Sequence, residues 1–132
     1  MFAGKRPTNI GVKNGKLTPC PKSPNCVCSQ GPETDQQHYI QPLSYNSTPT
    51  EALAKLKATI QNQPRTQIVT DSDNYLYAEF TSKIMGYVDD VEFLLDDNAK
   101  VIHVRSASRL GQSDIGVNRQ RIESMRTLFN QI

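Results

Sequence analysis

The stretch that decides the fold runs from Val88 to Arg121 and reads VDDVEFLLDDNAKVIHVRSASRLGQSDIGVNRQR. In its first half, Val91, Phe93 and Leu95 recur at every second position, a period that is typical of a β-strand with one face in the core. The residues Asp-Asp-Asn at 96–98 then interrupt the apolar pattern and predict a turn. We therefore expect a strand that leads into a hairpin.

The second half of the stretch repeats the alternation, which predicts a second strand. One predicted face carries Ile102, Val104, Ser106 and Ser108, and the other carries His103, Arg105, Ala107 and Arg109. If the strands pair, the acidic residues Asp89, Asp90 and Glu92 face a basic group made of Arg105, Arg109, Arg119 and Arg121. Cross-strand charge pairs contribute roughly 0.2–1 kcal/mol each, so the charges are also explained by a sheet face that they hold together.

Length and composition favour a single domain over residues 1–132. Hydrophobic residues make up 36% of the chain, which indicates a small core with irregular segments. The net charge of +2, from 15 basic and 13 acidic residues, is too balanced to indicate binding of nucleic acid or of a membrane through bulk charge. No apolar run approaches the length of a transmembrane helix, and residues 1–15 lack the apolar region of a signal peptide.

The order of the predicted elements favours an α+β fold. Residues 1–37 are expected to form an irregular arm that contains cysteines and prolines, and residues 38–132 the α+β core. Thr48, Pro49 and Glu51 form a capping box that starts one helix, and a second helix is expected to begin between residues 114 and 118. We predict an antiparallel sheet of about four to five strands with both helices on one face.

The second face of this sheet is expected to be open to solvent or covered by the arm. It would carry Tyr75, Tyr77 and Glu79 from one strand beside Glu92 and Arg105. Two tyrosines beside charged residues suggest a ligand groove or a contact for a protein partner, although aromatic residues are also simply good strand formers.

Three interpretations of the cysteines remain open from the residues alone. Cys20 and Cys26 flank a loop with two prolines and could form a disulfide that leaves Cys28 free. All three could instead be reduced thiols, as in a cytosolic protein. A metal site of these cysteines with His38 is disfavoured because the paired spacing of zinc ligands is absent. We expect neither a metal nor a cofactor.

The first functional hypothesis is a non-catalytic domain that binds a small anion where the last strand meets the last helix. A helix N-terminus attracts anions, and arginine matches the geometry of carboxylate and phosphate. The residues expected at this junction are Arg105, Ser106, Ser108, Arg109, Asp114, Asn118 and Arg119, with Asp89, Asp90 and Glu92 as their acidic partners. The alternative is that the acidic residues already occupy the arginines.

Two further hypotheses belong to other classes. An enzyme could use Asp90 and Glu92 as paired carboxylates and His103 as a proton carrier, although neighbouring arginines would make the two carboxyls poor acids. An interaction module could instead bind a protein partner through a sheet face that exposes Tyr75 and Tyr77. We favour the non-catalytic domain.

The chain resembles the uncharacterised bacterial and plastid family called domain of unknown function 1499. The resemblance runs from about Gly4 to the last helix and rests on CPKSPNCV at residues 20–27, on VDDVEF at 88–93 and on RSASRLGQSDIGVNRQRIE at 105–123. It implies no established activity. It does imply that Cys20 and Cys26 are a disulfide pair, whereas Cys28 stands where relatives often have serine.

Relatives in this family often carry an export signal or a membrane anchor before the domain. The resemblance therefore implies a place outside the cytoplasm, in a periplasm or a thylakoid-type lumen, if such a segment precedes Met1. If the native chain starts at Met1, we expect a cytoplasmic protein with reduced cysteines.

Overall fold

The structure is a computed structural model that describes residues 4–110 and 116–132. These residues form eight strands and two helices, which confirms the α+β class. In chain order the elements are β1 (Val12–Lys13), β2 (Lys16–Leu17), β3 (Cys26–Cys28), β4 (Leu43–Ser44), α1 (Pro49–Gln61), β5 (Thr66–Asp71), β6 (Tyr75–Thr81), β7 (Val88–Asp96), β8 (Val101–Ser108) and α2 (Val117–Gln131).

The main sheet contains six antiparallel strands in the order β3-β8-β7-β6-β5, and β4 also pairs with β8. β3 covers residues 105–107 of β8, and β4 covers residues 101–102 on the same edge. The sheet has one strand more than the upper expected number because β3 lies inside the predicted irregular arm. Its three residues, Cys-Val-Cys, are too few to show an alternation.

The core lies between the sheet and the two helices. Val91, Phe93 and Leu95 of β7 point into it, as the alternation predicts, and the side chain of Phe93 is fully buried. The helices contribute Leu56 of α1 and Phe129 of α2 to the same cluster of apolar side chains. Both helices therefore cover one face of the sheet, which confirms the predicted arrangement.

The start of α1 follows the capping box. Pro49 is the first helical residue, and Thr48 is the N-cap, whose side-chain oxygen accepts a hydrogen bond from the Glu51 backbone nitrogen at 3.2 Å. The Thr48 hydroxyl in turn donates to the Glu51 carboxylate at 3.1 Å. The bond from the Glu51 backbone nitrogen to Thr48 satisfies one of the N–H groups that are free at the start of a helix.

Replacing Thr48 with alanine should lower the free energy of unfolding by about 1 kcal/mol, because the first turn loses its cap. Urea denaturation followed by circular dichroism would measure the change. The control is Thr50→Ala, the same chemical change at an exposed position inside the helix, which should stay within about 0.5 kcal/mol of the parent. An unchanged midpoint for Thr48→Ala would show that the cap contributes no stability.

The other face of the sheet is covered by the N-terminal arm. β1 and β2 form a short hairpin, and Leu17 packs with Tyr75, Tyr77 and Leu94, with Ile10 beside them. The arm is therefore less irregular than expected, since it contains the strands β1, β2 and β3. Of the two states left open for this face, the structure shows the covered one.

Candidate functional site

The polar residues of β7 and β8 fall on opposite faces of the sheet. Asp89 and Ser106 point toward the helices, whereas Asp90 and Arg105 point toward the arm. This separation follows from the two-residue period of a strand. It creates two polar clusters that the sheet keeps apart.

The cluster on the helix side fastens α2 to β8. The Asn118 side chain is buried, accepts a hydrogen bond from the Ser106 hydroxyl at 2.6 Å and donates to the Ser108 hydroxyl at 2.9 Å. Arg121 donates to the Asn118 amide oxygen at 2.9 Å and forms an ion pair with Asp89 at 2.7 Å. These bonds fix the first turns of α2 against the sheet.

The cluster on the arm side is centred on Arg109, whose side chain is 7% exposed. Its Nε and Nη2 atoms donate to the two oxygens of Asp90, each at 2.9 Å, which is the bidentate geometry of a strong arginine–carboxylate pair. Nη2 also donates to Glu79 at 2.5 Å. The Tyr77 hydroxyl donates to Asp90 at 2.5 Å, and Arg6 of the arm reaches Glu79 at 2.8 Å.

Burial and hydrogen bonding shift the pKa values of Tyr77 and Glu79 in this cluster. Burial, and then the hydrogen bond to Asp90, raises the pKa of the Tyr77 hydroxyl, so this tyrosine stays neutral. Burial alone would raise the pKa of Glu79, but hydrogen bonds from Arg6 and Arg109 outweigh it and lower the pKa. The cluster is therefore an ion-pair network whose charges are matched internally.

Glu92 lies deeper on the same face and is fully buried. One carboxylate oxygen accepts hydrogen bonds from the Tyr75 hydroxyl at 2.5 Å and from the Gly11 backbone nitrogen at 2.8 Å. The other lies 3.8 Å from Arg105 Nη1, and neither this oxygen nor Arg105 Nε has a hydrogen-bond partner among the described residues. Burial, and then the bond to Glu92, raises the pKa of Tyr75.

The residues of the predicted anion site that the structure describes lie in separate places. Arg105 and Arg109 lie beneath the arm, bound to the acidic residues of β6 and β7, whereas Ser106, Ser108 and Asn118 bond one another on the helix side. Arg119 donates to the backbone oxygens of Gln36 and Gln37. Asp114 lies outside the described residues. The arginines and serines of β8 are separated because neighbouring strand residues point to opposite faces, and an anion site at this junction stays a prediction.

The residues proposed for catalysis are also separated. His103 bonds the Ser29 hydroxyl at 3.0 Å and pairs across the sheet with Leu94 rather than with a carboxylate. Burial lowers its pKa, so it is neutral near pH 7. Asp90 and Glu92 are buried and engaged with tyrosines, which denies them access to a substrate in this conformation.

The tyrosine face is also unavailable to a protein partner. Tyr75 is 8% exposed and Tyr77 is 2% exposed, because the arm packs on both rings. The interaction hypothesis requires an exposed tyrosine surface, whereas both tyrosines are buried in this structure. The sequence pattern indicated the shared face but could not show that a distant segment covers it.

The cysteines follow the disulfide interpretation. Cys20 and Cys26 are bonded, and Cys28 is free and buried. His38 closes this region by bonding the Ser23 backbone oxygen and the Asp35 carboxylate, each at 2.8 Å, and both bonds raise its pKa. Within the described ranges no group of three His, Cys, Asp or Glu side chains could hold a metal ion.

A basic groove that was not predicted from the sequence lies between α2 and the loop that joins β6 to β7. It has a volume of about 400 Å³, and we call it the α2 groove. Arg65, Lys83 and Arg121 line it, and none of the described residues that line it is acidic. Its members come from three distant segments, so only the tertiary structure brings them together.

Comparison with known proteins gives a family but no activity. The family model described as "Protein of unknown function (DUF1499)" matches residues 16–129. None of the curated proteins matches the chain. In the part of the chain that the structure describes, neither helix has the length and apolar character needed to cross a membrane.

Proposed function

The chain belongs to the DUF1499 family of unknown function, and we propose that its domain is a non-catalytic binding module that takes an anionic ligand in the α2 groove. The observation that carries the proposal is the charge of this groove, which three cationic side chains and no described acidic side chain line. A concave surface of one sign concentrates ligands of the opposite sign.

Two of the three cations are available to a ligand. Arg65 is exposed and donates through Nε to the Thr81 backbone oxygen at 3.1 Å, while its terminal nitrogens have no hydrogen-bond partner among the described residues. Lys83 is exposed and has no hydrogen bond or ion pair within the described ranges. Arg121 is already neutralised by Asp89, so it forms the fixed wall of the groove.

The rest of the groove suits an anion that carries a small apolar part. Phe80 and Val117 supply apolar surface, and Gln120 and Ser124 supply hydrogen-bonding groups. The first turn of α2 begins at the groove and contains no acidic residue, so the positive end of the helix dipole adds to the side-chain charges. A volume of about 400 Å³ has room for a phosphate monoester or an organic carboxylate as well as for inorganic phosphate.

This proposal moves the anion site away from the strand-to-helix junction expected from sequence. Arg105 and Arg109 are held by Glu92 and by Asp90 with Glu79, so an anion there would have to displace buried carboxylates. Leaving a buried charge without its partner costs several kcal/mol. Binding an anion at Arg65 and Lys83 has no such cost, because both side chains are exposed and no buried carboxylate has to be displaced.

Reversing both free cations in Arg65→Glu/Lys83→Glu should abolish binding of inorganic phosphate, because the groove then repels anions. Isothermal titration calorimetry, supported by backbone amide chemical shifts, would measure binding for the parent and the variant. Added sodium chloride should weaken binding by the parent, because exposed charges are screened by salt.

The matched control is Lys13→Glu/Lys16→Glu, which changes the net charge equally on the hairpin that covers the opposite face of the sheet. The control should bind phosphate as the parent does. Equal losses in the two double variants would mean that net charge, rather than the α2 groove, governs binding, and the proposal would then fail.

A further inference from the structure

We infer that the loop between β6 and β7, residues 82–87, docks this end of the protein on the surface of an anionic phospholipid membrane. We call it the tip loop. The inference rests on the proposed function, because it identifies the anion of the α2 groove as a lipid phosphate. Two observations carry it independently of each other: the apolar residues that the tip loop exposes, and the free cations beside them.

The apolar residues of the tip loop are unusually exposed. Ile84 is 88% exposed and Met85 is 44% exposed, with Tyr87 at the base of the loop 41% exposed. Val117, which lines the α2 groove, is 44% exposed beside them. Of the seven large apolar side chains that are exposed in the described residues, four therefore belong to this end.

The position of Leu110 follows from strand register. The Arg109 backbone nitrogen donates to the Val88 backbone oxygen at 3.4 Å, which continues the pairing of β7 with β8 beyond Ser108. The side chain of the next residue, Leu110, lies close to Gly4 of the arm. Ile84, Met85 and Tyr87 belong to one short loop and are therefore not scattered single residues, and a group of exposed apolar side chains of this kind marks an interaction site.

The tip loop is closed by its own backbone. The Ser82 nitrogen donates to the Tyr87 oxygen at 2.8 Å, and the Tyr87 nitrogen donates to the Ser82 hydroxyl at 2.9 Å. Gly86 adopts a positive φ of 71°, which an L side chain rarely takes, and completes the turn. Because the base is fixed, Ile84 and Met85 project from the protein instead of folding back on it.

The charges beside the apolar tip are complementary to an anionic surface. Lys83 is part of the loop, and Arg65, which bonds the backbone of Thr81, lines the same α2 groove. Each lysine or arginine held near an anionic lipid surface strengthens binding to that surface. At a membrane, the apolar side chains of the tip would enter the hydrocarbon region. The tyrosine and the cations at the base of the loop would lie among the lipid headgroups.

A membrane fits this surface better than a protein partner does. A stable protein interface buries about 800 Å² on each partner and has a packed centre. A six-residue loop that projects two aliphatic side chains offers a small convex tip instead. Insertion into a lipid surface needs only a few apolar side chains supported by nearby cations.

A tryptophan at the tip would report the contact directly, because the chain contains no tryptophan. In Ile84→Trp, vesicles of phosphatidylcholine and phosphatidylglycerol in equal parts should shift the emission to the blue, and brominated lipids should quench it. Vesicles of phosphatidylcholine alone should give a much smaller shift. The control is Val12→Trp, at an exposed apolar position on the arm hairpin, which should not shift.

Vesicle sedimentation separates this inference from the proposed function. Ile84→Asp should weaken binding of the full chain to the anionic vesicles by about tenfold, while its binding of inorganic phosphate stays at the level of the parent. Arg65→Glu/Lys83→Glu should lose both. Val12→Asp should retain both, since Val12 lies on the arm hairpin.

Each result tests either the membrane inference or the proposed function. An unshifted Ile84→Trp spectrum, or vesicle binding unaffected by Ile84→Asp, overturns the membrane inference while phosphate binding still supports the α2 groove. The ligand of this end would then be a soluble anion or a protein. Absence of phosphate binding by the parent overturns the proposed function itself.

Discussion

Replacing Phe93 with alanine should lower the free energy of unfolding by about 3–5 kcal/mol. The side chain is fully buried in the central strand β7, between Leu76 of β6 and Val104 of β8, and faces both helices. The substitution removes apolar surface and leaves a cavity that the neighbouring strands cannot close, because their positions are fixed by the sheet. Urea denaturation with linear extrapolation would measure the loss.

The control for this prediction is Ile84→Ala, which also removes a large apolar side chain but at a position that is 88% exposed. It should change the free energy of unfolding by less than about 0.5 kcal/mol. Phe129→Ala should resemble Phe93→Ala, and Phe80→Ala should cost less because 7% of Phe80 remains exposed. A cost below about 1.5 kcal/mol for Phe93→Ala would contradict the core described for β7.

Replacing Arg109 with alanine should destabilise the protein by about 3–5 kcal/mol, because the change removes the cationic partner of Asp90 and one of the two cationic partners of Glu79. Asp90 is 2% exposed and cannot recover its lost hydrogen bonds from water. The measured quantity is again the free energy of unfolding at pH 7. Adding Asp90→Asn to the variant should recover part of the loss, since no buried charge is then left on that residue.

The matched control is Lys57→Ala, which breaks the Lys57–Asp71 ion pair at 2.7 Å on the protein surface. Its cost should be below about 1 kcal/mol, because both side chains are solvated. The cost of Arg109→Ala should also shrink as pH falls through the lowered pKa of Glu79 and this carboxyl becomes protonated. The pKa of Glu79 is lowered in the folded protein, so its stabilisation is present above the ordinary pKa and is lost as pH falls. A loss for Arg109→Ala no larger than the control would contradict a buried network.

The elements with regular periods could be predicted from sequence. Alternation in β7 and β8 predicted both faces correctly, and the capping box predicted the first turn of α1. β3 could not be predicted because three residues carry no period, and its place beside β8 depends on contacts with residues about 80 positions away. β4 has only two residues, Leu43–Ser44, and Pro42 immediately before it cannot donate a hydrogen bond to a neighbouring strand.

The sequence identified the polar residues of the site more readily than their arrangement in space. The sequence placed Asp90 and Glu92 opposite arginines, and the structure pairs them with Arg109 and Arg105. The alternation already placed these arginines and Ser106 on opposite faces, but the anion-site hypothesis combined them because they lie close together along the chain. The α2 groove and the cover over Tyr77 arise from segments far apart in sequence, which local patterns do not report.

The covered face sets the boundary of the folding unit. The family match begins at residue 16, yet Gly11 donates to Glu92, Arg6 bonds Glu79 and Gly4 accepts from Arg109. A protein trimmed to the matched residues would keep both helices and the six strands. It would also expose two tyrosine rings and leave buried carboxylates short of partners. We therefore expect the smallest cooperative unit of this chain to include about twelve residues before the region that family comparison marks, because the arm bonds to β6, β7 and Arg109.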